Sequence, residues 1–391
     1  MTIVLTGGGS GGHITPIMAV AHELRLRDPS IKLVYIGQRG DHLLDVPAAS
    51  PDIDEVYTVR AGKFRRYHGQ GIKQIFDVVT LLKNIRDAVY VLLGIIQSWW
   101  LMGKLKPDII FTRGGFVSVP VALGGHLRKV PYVTHDSDST PSLANRLIAR
   151  WAAIHAVALP VDVYPYPKDK TVMVGIPVDA NYQPVTPELQ KKYRHELKLN
   201  HKQAVLITGG GNGARALNLA VVANAKKLLL QHPDLALIHI AGRPLEDETW
   251  VAYKAALPIA LLKRVAVKGF VSDLYRYSGV ADVIIGRGGA TNIAEWALQR
   301  KPVIIIPSPQ LVWNVKNNRV LADRDAIVAL SEEQATQEGR LGAVVAELLD
   351  DASERHRLAT NLAGLARPHA ARDLADILLK QTQTDHVPPQ D

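Results

Sequence analysis

The chain has 391 residues and contains no cysteine. Disulfide bonds, cysteine-ligated zinc, iron–sulfur clusters and a thiol nucleophile are therefore excluded together. The first residues run directly into a glycine-rich stretch and lack both the charged segment and the cleavage site of a secretory signal. We therefore expect a cytoplasmic location.

Long hydrophobic runs are also scarce. The uncharged stretch 88–103, which includes Trp99 and Trp100, has 16 residues, and a transmembrane helix needs ~20. We therefore expect no spanning segment there. With 47% hydrophobic and 21% charged residues, the composition is that of a globular protein, and the length predicts roughly two to three domains.

The net charge of +9 is concentrated in one segment. Residues 60–106 carry nine basic and two acidic side chains, a local net charge of +7. Such a patch indicates an anionic partner, either a membrane surface or a phosphorylated ligand. Apolar residues from Ile72 to Ile96 recur at helical spacing. This helix is either a buried crossover with a solvated basic face or a helix partly exposed to lipid headgroups, with the tryptophans at the interface.

Short apolar strands alternate with helical patterns along the whole chain. This alternation predicts an α/β fold with helices on both faces of parallel sheets. Because a proline-rich stretch divides the chain, we predict two Rossmann-like doubly wound domains, 1–170 and 171–370, facing each other across a cleft. Residues 371–391 are predicted to be the end of a C-terminal helix and a frayed tail. The predicted strands are 3–5, 32–36, 108–111, 132–134, 154–158, 204–208, 236–240, 265–267, 283–285, 303–306 and 327–329.

Each half begins with a strand, a glycine loop and a helix. The first loop reads GGGSGGH at 7–13, and the second reads GGGNG at 209–213. Glycine lets the backbone turn tightly and approach a phosphate, and the following helix offers free N–H groups and the positive end of its dipole. Both loops therefore predict phosphate-binding sites.

The signatures of two common nucleotide sites are missing. A dinucleotide-binding fold places an acidic residue at the end of its second strand to bind the ribose. Here Gln38 and Arg39 follow one such strand and Gly242 and Arg243 the other, and no Gly-Lys-Ser/Thr sequence occurs. These loops therefore suit an enzyme that joins two phosphorylated substrates better than one that uses NAD or ATP.

Seven ordered segments resemble the MurG family of peptidoglycan N-acetylglucosaminyltransferases, which belongs to glycosyltransferase family 28 and has the GT-B fold. In the first half they are the loop at 7–16 and the segments 62–66, 114–120 and 135–136. In the second half they are the loop at 209–218, the segment 270–273 and the segment 287–295. The chain is identified as a divergent member of this family.

Several positions depart from the family pattern. The usual serine of the second loop is Gly211, an asparagine in the first half is Asp138, and a donor-side arginine is replaced by Asp179. In the last signature Asn318 keeps its place, and Asn314 can supply a side-chain amide. These changes leave the exact donor and acceptor open.

The resemblance implies a donor site in the second half. Glu295 would accept hydrogen bonds from the ribose hydroxyls, the alternative being a solvated glutamate on the helix surface. The helix start at 290–292 suits a pyrophosphate, the alternative being simple helix capping. The backbone of Val271 would contact uracil. The full set of expected donor-binding residues is Gly211, Asn212, Val271, Arg287, Ala290, Thr291, Asn292, Glu295 and Asn314.

The resemblance places the acceptor in the first half, where Ser10, Gly11 and Gly12 are expected to bind substrate. The imidazole of His13 can deprotonate an attacking hydroxyl or donate a hydrogen bond to an acceptor phosphate, or serve only a structural role. The sequence from Asp136 to Asp138 mimics the D-x-D metal motif of a different fold. We expect no metal there, and we expect Asp138 to bind the acceptor or to act as a general base.

The implied activity is that of an inverting hexosyltransferase. It would move N-acetylglucosamine from UDP-GlcNAc to a polyprenyl-diphosphate-linked MurNAc-pentapeptide, converting lipid I to lipid II in peptidoglycan synthesis. We expect no cofactor, because helix N-termini and loop N–H groups can stabilise the departing UDP. The expected partners are the two substrates and the anionic cytoplasmic face of the cell membrane, where the protein is expected to be peripheral, and no nucleic acid.

Two alternatives remain open. One is a transferase of the same fold with a different glycolipid acceptor. The other is a sugar-nucleotide-binding paralogue without turnover, which the changes at Gly211, Asp179 and Val315 would favour.

Overall fold

The computed structural model describes residues 1–8, 11–41, 43–63, 78–138, 140–310 and 312–384. The chain folds as two compact units, one formed by Met1–Asp179 with His369–Asp391 and the other by Ala180–Pro368. The strands are β1 (Thr2–Thr6), β2 (Lys32–Gln38), β3 (Glu55–Val59), β4 (Ile109–Thr112), β5 (Tyr132–Asp136), β6 (Ile154–Val157), β7 (Thr171–Met173), β8 (Gln203–Thr208), β9 (Leu235–Ile240), β10 (Val265–Lys268), β11 (Val283–Gly286), β12 (Val303–Ile305) and β13 (Val328–Ala329).

The helices are α1 (Gly11–Arg27), α2 (Asp45–Ala48), α3 (Val78–Leu105), α4 (Ser118–Leu127), α5 (Leu143–Ile148), α6 (Pro187–Glu196), α7 (Arg215–Gln231), α8 (Glu246–Ala256), α9 (Ile259–Leu262), α10 (Leu274–Val280), α11 (Ala290–Leu298), α12 (Val312–Ala322), α13 (Glu332–Thr336), α14 (Arg340–Asp350), α15 (Ala352–Ala363) and α16 (Ala370–Thr384).

The first unit contains a seven-stranded parallel sheet in the order β3-β2-β1-β4-β5-β6-β7. The strands are apolar and covered on both faces, so Ile3, Val4 and Leu5 of β1 have no solvent exposure. Because β1 lies between β2 and β4, the strand order changes direction at β1. The loops that follow β1 and β4 therefore leave the same edge of the sheet side by side, which is where ligands bind in open α/β sheets.

The second unit repeats this plan with a six-stranded parallel sheet in the order β10-β9-β8-β11-β12-β13. Successive side chains of β8 point to opposite faces. Val205 and Ile207 pack with Leu217 of α7 on one face, and Leu206 packs with Trp296 of α11 on the other. The loops after β8 and β11 are again neighbours at the carboxyl edge.

The C-terminal helix α16 belongs to the first unit. Leu374 and Leu378 are buried in the same hydrophobic cluster as Ile17 of α1, and Arg27 of α1 pairs with Asp376 at 2.7 Å. The observed division therefore differs from the predicted boundaries at 170 and 370, since the residues from His369 onward return to the first sheet. An amphipathic pattern identifies the buried face of a helix but not the sheet that covers it. Residues 385–391 of the predicted tail lie outside the described residues.

The predicted pair of doubly wound parallel sheets is confirmed, and each of the eleven predicted strands overlaps an observed one. The prediction omits β3 and β7, which are the two edge strands of the first sheet. In β3 only Val59 is buried, and β7 has three residues. Such strands lack the continuous apolar run of a central parallel strand. The cleft between the two domains stays a prediction.

One side of α3 packs closely against the first unit. A side-chain carbon at Gly124 of α4 would lie 2.5 Å from Cβ of Ser98, and one at Gly94 would lie 2.0 Å from the carbonyl oxygen of Arg60. Ser98 and Met102 are buried on this side. The opposite side carries exposed apolar residues, namely Leu81, Leu82, Ile85, Val89, Leu92, Ile96, Trp99 and Trp100. The helix therefore has one buried face and one exposed apolar face, and its contact with lipid headgroups stays a prediction.

α3 is also longer than its uncharged stretch. It has 28 residues, and within the described chain its segment Thr80–Leu105 is the one helix that is long and apolar enough to cross a membrane by length and composition alone. The 16-residue uncharged stretch therefore underestimates the length of this apolar helix. The helix continues through Arg86 and Asp87, which pair with each other at 2.9 Å. Residues 72–77 of the predicted helix lie outside the described residues.

Replacing Gly94 with alanine is expected to lower the free energy of unfolding by about 1–3 kcal/mol, because the new carbon overlaps backbone that has no room to move. Gly103→Ala in the same helix is the matched control, since its side chain would meet only the guanidinium end of Arg128, at 2.8 Å from Nη2. Urea denaturation followed by circular dichroism measures both variants. Equal midpoints would contradict the packing of α3 against this unit.

Candidate active site

In each unit, the described residues of the glycine loop lie at the carboxyl edge of the sheet. In the second unit, the loop 209–213 joins β8 to α7. α7 has no acidic residue in its first turn and no side-chain cap at Ala214. Its N-terminal N–H groups therefore face no competing carboxylate of their own turn and suit an anion.

The second loop contains two positions that explain its shape. Gly213 has φ +71°, and a side-chain carbon there would lie 2.2 Å from the carbonyl oxygen of Ala241, so only glycine fits. At Gly211, by contrast, no atom lies within 4 Å of the position that a side-chain carbon would take, and φ is not in the left-handed region. The loop therefore has room for the serine that the family usually carries at this position. Asn212 beside it is exposed.

The other part of this site follows β11. α11 begins at Ala290, and Gly289 is its N-cap residue, with no side-chain capping bond. Thr291 is buried, and Asn292 donates from Nδ2 to Oε2 of Glu295 at 2.9 Å. The N-cap position itself therefore has no side-chain cap, and the assignment of 290–292 to a pyrophosphate stays a prediction.

Glu295 is buried rather than solvated, with 5% of its surface exposed. The alternative of a solvated glutamate on the helix surface is therefore wrong. A buried carboxylate requires hydrogen-bond donors, and Asn292 supplies one of them. This arrangement suits a group that accepts further hydrogen bonds from the hydroxyls of a ligand.

The remaining predicted donor residues fall into different surroundings. Arg287 forms an ion pair with Glu332 of α13 and donates to the carbonyl oxygen of Ile306 at 3.1 Å. It therefore anchors the loop after β11. Val271 is half-buried three residues after the edge strand β10, and Asn314 is partly exposed on α12.

Asn318 is a residue of this site that the predicted set omits. It lies one turn after Asn314 on α12 and is 2% exposed. Both atoms of its amide group lack a hydrogen-bond partner among the described residues. A side-chain carbon at Gly288 would lie 2.5 Å from its Nδ2, so the amide packs directly on the loop after β11. The sequence could have identified Asn318, because this residue matches the asparagine of the last family signature.

The first unit has the corresponding arrangement around β1 and β4. A side-chain carbon at Gly115, where φ is +86°, would lie 2.7 Å from the carbonyl oxygen of Gly8. The loops after the two strands are therefore in close backbone contact. Gly11 and Gly12 begin α1, as a phosphate site at a helix N-terminus requires. Ser10 lies outside the described residues.

His13 connects the two loops. Its Nδ1 lies 3.0 Å from the carbonyl oxygen of Arg113, which directly follows β4. Because a carbonyl only accepts, Nδ1 carries the proton and Nε2 is left as an acceptor. Burial, with a smaller contribution from the charge of Arg113, lowers the pKa of His13 to about 4. The neutral ring can therefore accept a proton from a hydroxyl at Nε2. It is less suited to bind a phosphate oxygen, because that oxygen needs a hydrogen-bond donor.

The two aspartates after β5 differ in their surroundings. Asp136 is buried and accepts hydrogen bonds from the hydroxyl of Tyr166 at 2.7 Å and from the backbone N–H of Ser142 at 3.1 Å. Burial raises its pKa. Asp138 is partly exposed two residues beyond the strand. Among the described residues, no group of three or more His, Asp or Glu side chains is arranged to hold a metal ion.

Two parallel-sheet units, each with a glycine loop and a helix N-terminus at the carboxyl edge of its sheet, make up a GT-B-like fold. Residues 3–157 match the glycosyltransferase family 28 N-terminal domain, and residues 204–375 match the glycosyltransferase family 28 C-terminal domain. The chain belongs to glycosyltransferase family 28.

Two curated relatives carry the same name, UDP-N-acetylglucosamine–N-acetylmuramyl-(pentapeptide) pyrophosphoryl-undecaprenol N-acetylglucosamine transferase. The one from Moorella thermoacetica is 30% identical over 395 residues, covering 98% of this chain and 100% of the relative. The one from Bacillus cereus strain ATCC 10987, which is numbered 2 in its name, is 33% identical over 310 residues, covering 78% of each.

Solved structures show the same fold. The crystal structure of Acinetobacter baumannii MurG has a TM-score of 0.68 and 22% identity, covering 97% of this chain and 99% of that chain. A UDP-GlcNAc 2-epimerase from Neisseria meningitidis has a TM-score of 0.64 and 14% identity, covering 97% of this chain and all of that one. Since a transferase and an epimerase share this fold, the fold alone does not choose between these activities.

Glu295→Ala is expected to weaken UDP binding by about 1.5–3 kcal/mol, the usual cost of losing hydrogen bonds to a charged group. Isothermal titration calorimetry with UDP measures this change. Glu333→Ala is the control, because Glu333 is an exposed glutamate on α13 in the same unit. Unchanged UDP affinity in a folded Glu295→Ala protein would remove Glu295 from the site.

The buried histidines predict loss of stability in acid. Burial lowers the pKa of His13 and His155 to about 4 and that of His239 to about 3. The unfolded chain therefore binds more protons than the folded one below an unfolded pKa of about 6.5. Each such histidine is expected to remove up to about 1.4 kcal/mol of stability per pH unit as the pH falls from 6.5 towards 4. Urea titrations at pH 7.5, 6 and 5 measure the trend, and a pH-independent midpoint would contradict it.

Proposed function

We propose that this protein is an inverting hexosyltransferase that moves N-acetylglucosamine from UDP-GlcNAc to a polyprenyl-diphosphate-linked MurNAc-pentapeptide, the lipid I to lipid II step of peptidoglycan synthesis. The observation that carries this proposal is the match to transferases of this name over their whole length, as with the Moorella relative. The paired glycine loops support it because each substrate carries a diphosphate.

In this proposal the second unit binds the donor. The pyrophosphate lies at the N-termini of α7 and α11, where unpaired N–H groups and the helix dipoles stabilise the charge of departing UDP. Glu295 holds the ribose, and the backbone of Val271 contacts the uracil. The other donor contacts are assigned to Gly211, Asn212, Arg287, Ala290, Thr291, Asn292 and Asn314.

The first unit binds the acceptor through Ser10, Gly11 and Gly12, with Asp138 as a further polar contact. The acceptor hydroxyl oxygen forms a bond to the anomeric carbon while the bond from that carbon to UDP breaks. The hydroxyl proton passes to Nε2 of His13. A single displacement inverts an α-linked donor to a β-glycoside. The anionic acceptor favours the imidazolium form, so its binding moves the pKa of His13 upward, towards neutrality.

We further propose that the protein is peripheral on the cytoplasmic face of the cell membrane. The exposed side of α3 presents Leu92, Ile96 and Trp100, each more than 60% exposed, and Lys63 and Arg86 lie near it. Apolar side chains flanked by basic ones suit an interfacial helix on anionic lipid. The packing of Gly94 and Ser98 against the first unit supports lying on the membrane rather than crossing it. Arg65 and Arg66 lie outside the described residues.

Turnover is tested by UDP release with a panel of UDP-sugars and a soluble analogue of the lipid acceptor. UDP-GlcNAc is expected to be the preferred donor. His13→Ala is expected to lose about 10²–10⁴-fold in kcat, the usual contribution of a general base, while UDP affinity stays unchanged.

His22→Ala is the control, because His22 is an exposed histidine on the same helix. If the protein binds UDP-GlcNAc but releases no UDP, the paralogue without turnover becomes the better assignment. If the protein transfers sugar only to a different glycolipid, the proposed acceptor is wrong and that glycolipid takes its place.

Membrane docking is tested by liposome flotation with anionic and neutral vesicles at low and high salt. Binding is expected to require anionic lipid and to fall with salt, because each basic residue near the surface contributes about 1 kcal/mol that salt screens. Leu92→Glu is expected to weaken binding. Leu230→Glu is a matched control, because Leu230 is 61% exposed and Leu92 62% exposed, but Leu230 lies in the second unit. Equal loss in both variants, or binding to neither kind of vesicle, would contradict docking through α3.

A further inference from the structure

A buried guanidinium lies at the first-unit loops and has no assigned role. Arg113 is 3% exposed. Its Nη1 donates to the hydroxyl of Ser137 at 3.2 Å, but its Nε and Nη2 have no hydrogen-bond partner among the described residues. Two of its donor groups are therefore buried and unsatisfied within the part of the chain that the structure describes.

This arrangement is costly for the free protein. Burying a charge is unfavourable unless hydrogen bonds and opposite charges compensate it. Burial lowers the pKa of Arg113 to about 10, with Asp138 and Asp136 opposing the shift, so the side chain is still charged at neutral pH. An apolar residue would avoid this cost, which points to a ligand that completes the site.

The surroundings of Arg113 specify the class of ligand. Nε and Nη2 lie on the same edge of the guanidinium, the edge that binds two oxygens of one phosphate group. The N-terminus of α1, a helix of 17 residues with no acidic residue in its first turn, begins at the neighbouring loop. The Cβ atom of Arg113 lies 3.4 Å from the position that a side chain on Gly7 would take. A helix N-terminus and a buried cation therefore act together on one anion.

We propose that Arg113 binds a phosphate group of the acceptor's diphosphate through Nε and Nη2. This inference rests on the proposed function, which supplies a diphosphate-linked acceptor to the first unit. It adds a binding residue that also positions His13, since the carbonyl oxygen of Arg113 holds Nδ1 of His13. One residue thereby fixes the phosphate with its side chain and the proposed base with its backbone.

The direct test is calorimetry with inorganic pyrophosphate on the full chain, after the donor site has been saturated with UDP. Arg113→Met, which keeps much of the side-chain volume, is expected to weaken pyrophosphate binding about 10- to 100-fold, as expected for charge-assisted hydrogen bonds. Arg113→Lys is expected to bind pyrophosphate more tightly than Arg113→Met but less tightly than the wild type. Lysine keeps the positive charge but lacks the two parallel N–H donors of the guanidinium. Arg150→Met, at an exposed arginine of the same unit, is the matched control.

Two further measurements separate binding from a structural role. In the transferase assay, Arg113→Met is expected to raise KM for the acceptor analogue with little change in KM for UDP-GlcNAc. Its thermal midpoint is expected to equal or exceed that of the wild type, because an uncompensated buried charge is removed. A lowered midpoint with parallel loss for both substrates would overturn the proposal, as would unchanged pyrophosphate affinity.

The outcomes also distinguish this inference from the proposed function. If pyrophosphate binding depends on Arg113 but no sugar is transferred, the anion site is supported and the proposed function fails. If transfer proceeds and Arg113→Met has a normal KM for the acceptor, the anion site is overturned and the proposed function stands.

Discussion

The close approach of neighbouring backbone loops at the carboxyl edge of each sheet is the constraint on which both candidate sites depend. In the first unit, Gly8 and Gly115 bring the loops after β1 and β4 into contact, and in the second Gly213 brings the loop after β8 against Ala241, which directly follows β9. Side chains at these positions would separate the loops. Because the backbone is exposed to a ligand rather than covered by side chains, N–H groups and helix ends can provide most of the charge stabilisation.

The polar residues behind these loops are buried at a cost that the fold alone does not explain. Glu295, Arg113 and Asn318 are each at most 5% exposed. Arg113 and Asn318 have side-chain atoms without a hydrogen-bond partner among the residues that the structure describes. Low-dielectric surroundings strengthen the interaction of such groups with a correctly placed ligand and penalise its absence. The sites are therefore organised before substrate arrives, and the stability that they cost is recovered on binding.

The sequence predicts the central strands and both glycine loops, because parallel strands buried on both faces give unmistakable apolar runs. It does not predict the edge strands β3 and β7, whose residues are half exposed, or the sheet against which α16 packs. The glycine loops and Glu295 are found from their spacing and family resemblance. Arg113 cannot be identified in this way, because a single arginine beside two glycines forms no recognisable pattern. It is distinguished by its burial and by two donor groups, Nε and Nη2, that have no partner among the described residues.

The return of α16 to the first unit links the order of synthesis to the completion of the fold. Leu374 and Leu378 fill the hydrophobic cluster beneath α1, although they are made after the whole second unit. The first sheet therefore emerges from the ribosome with part of its apolar face uncovered, while Ala180–Pro368 can already form its own core. Until α16 emerges and packs on α1, the N-terminal unit is the one at risk of aggregation, because part of its hydrophobic cluster is uncovered.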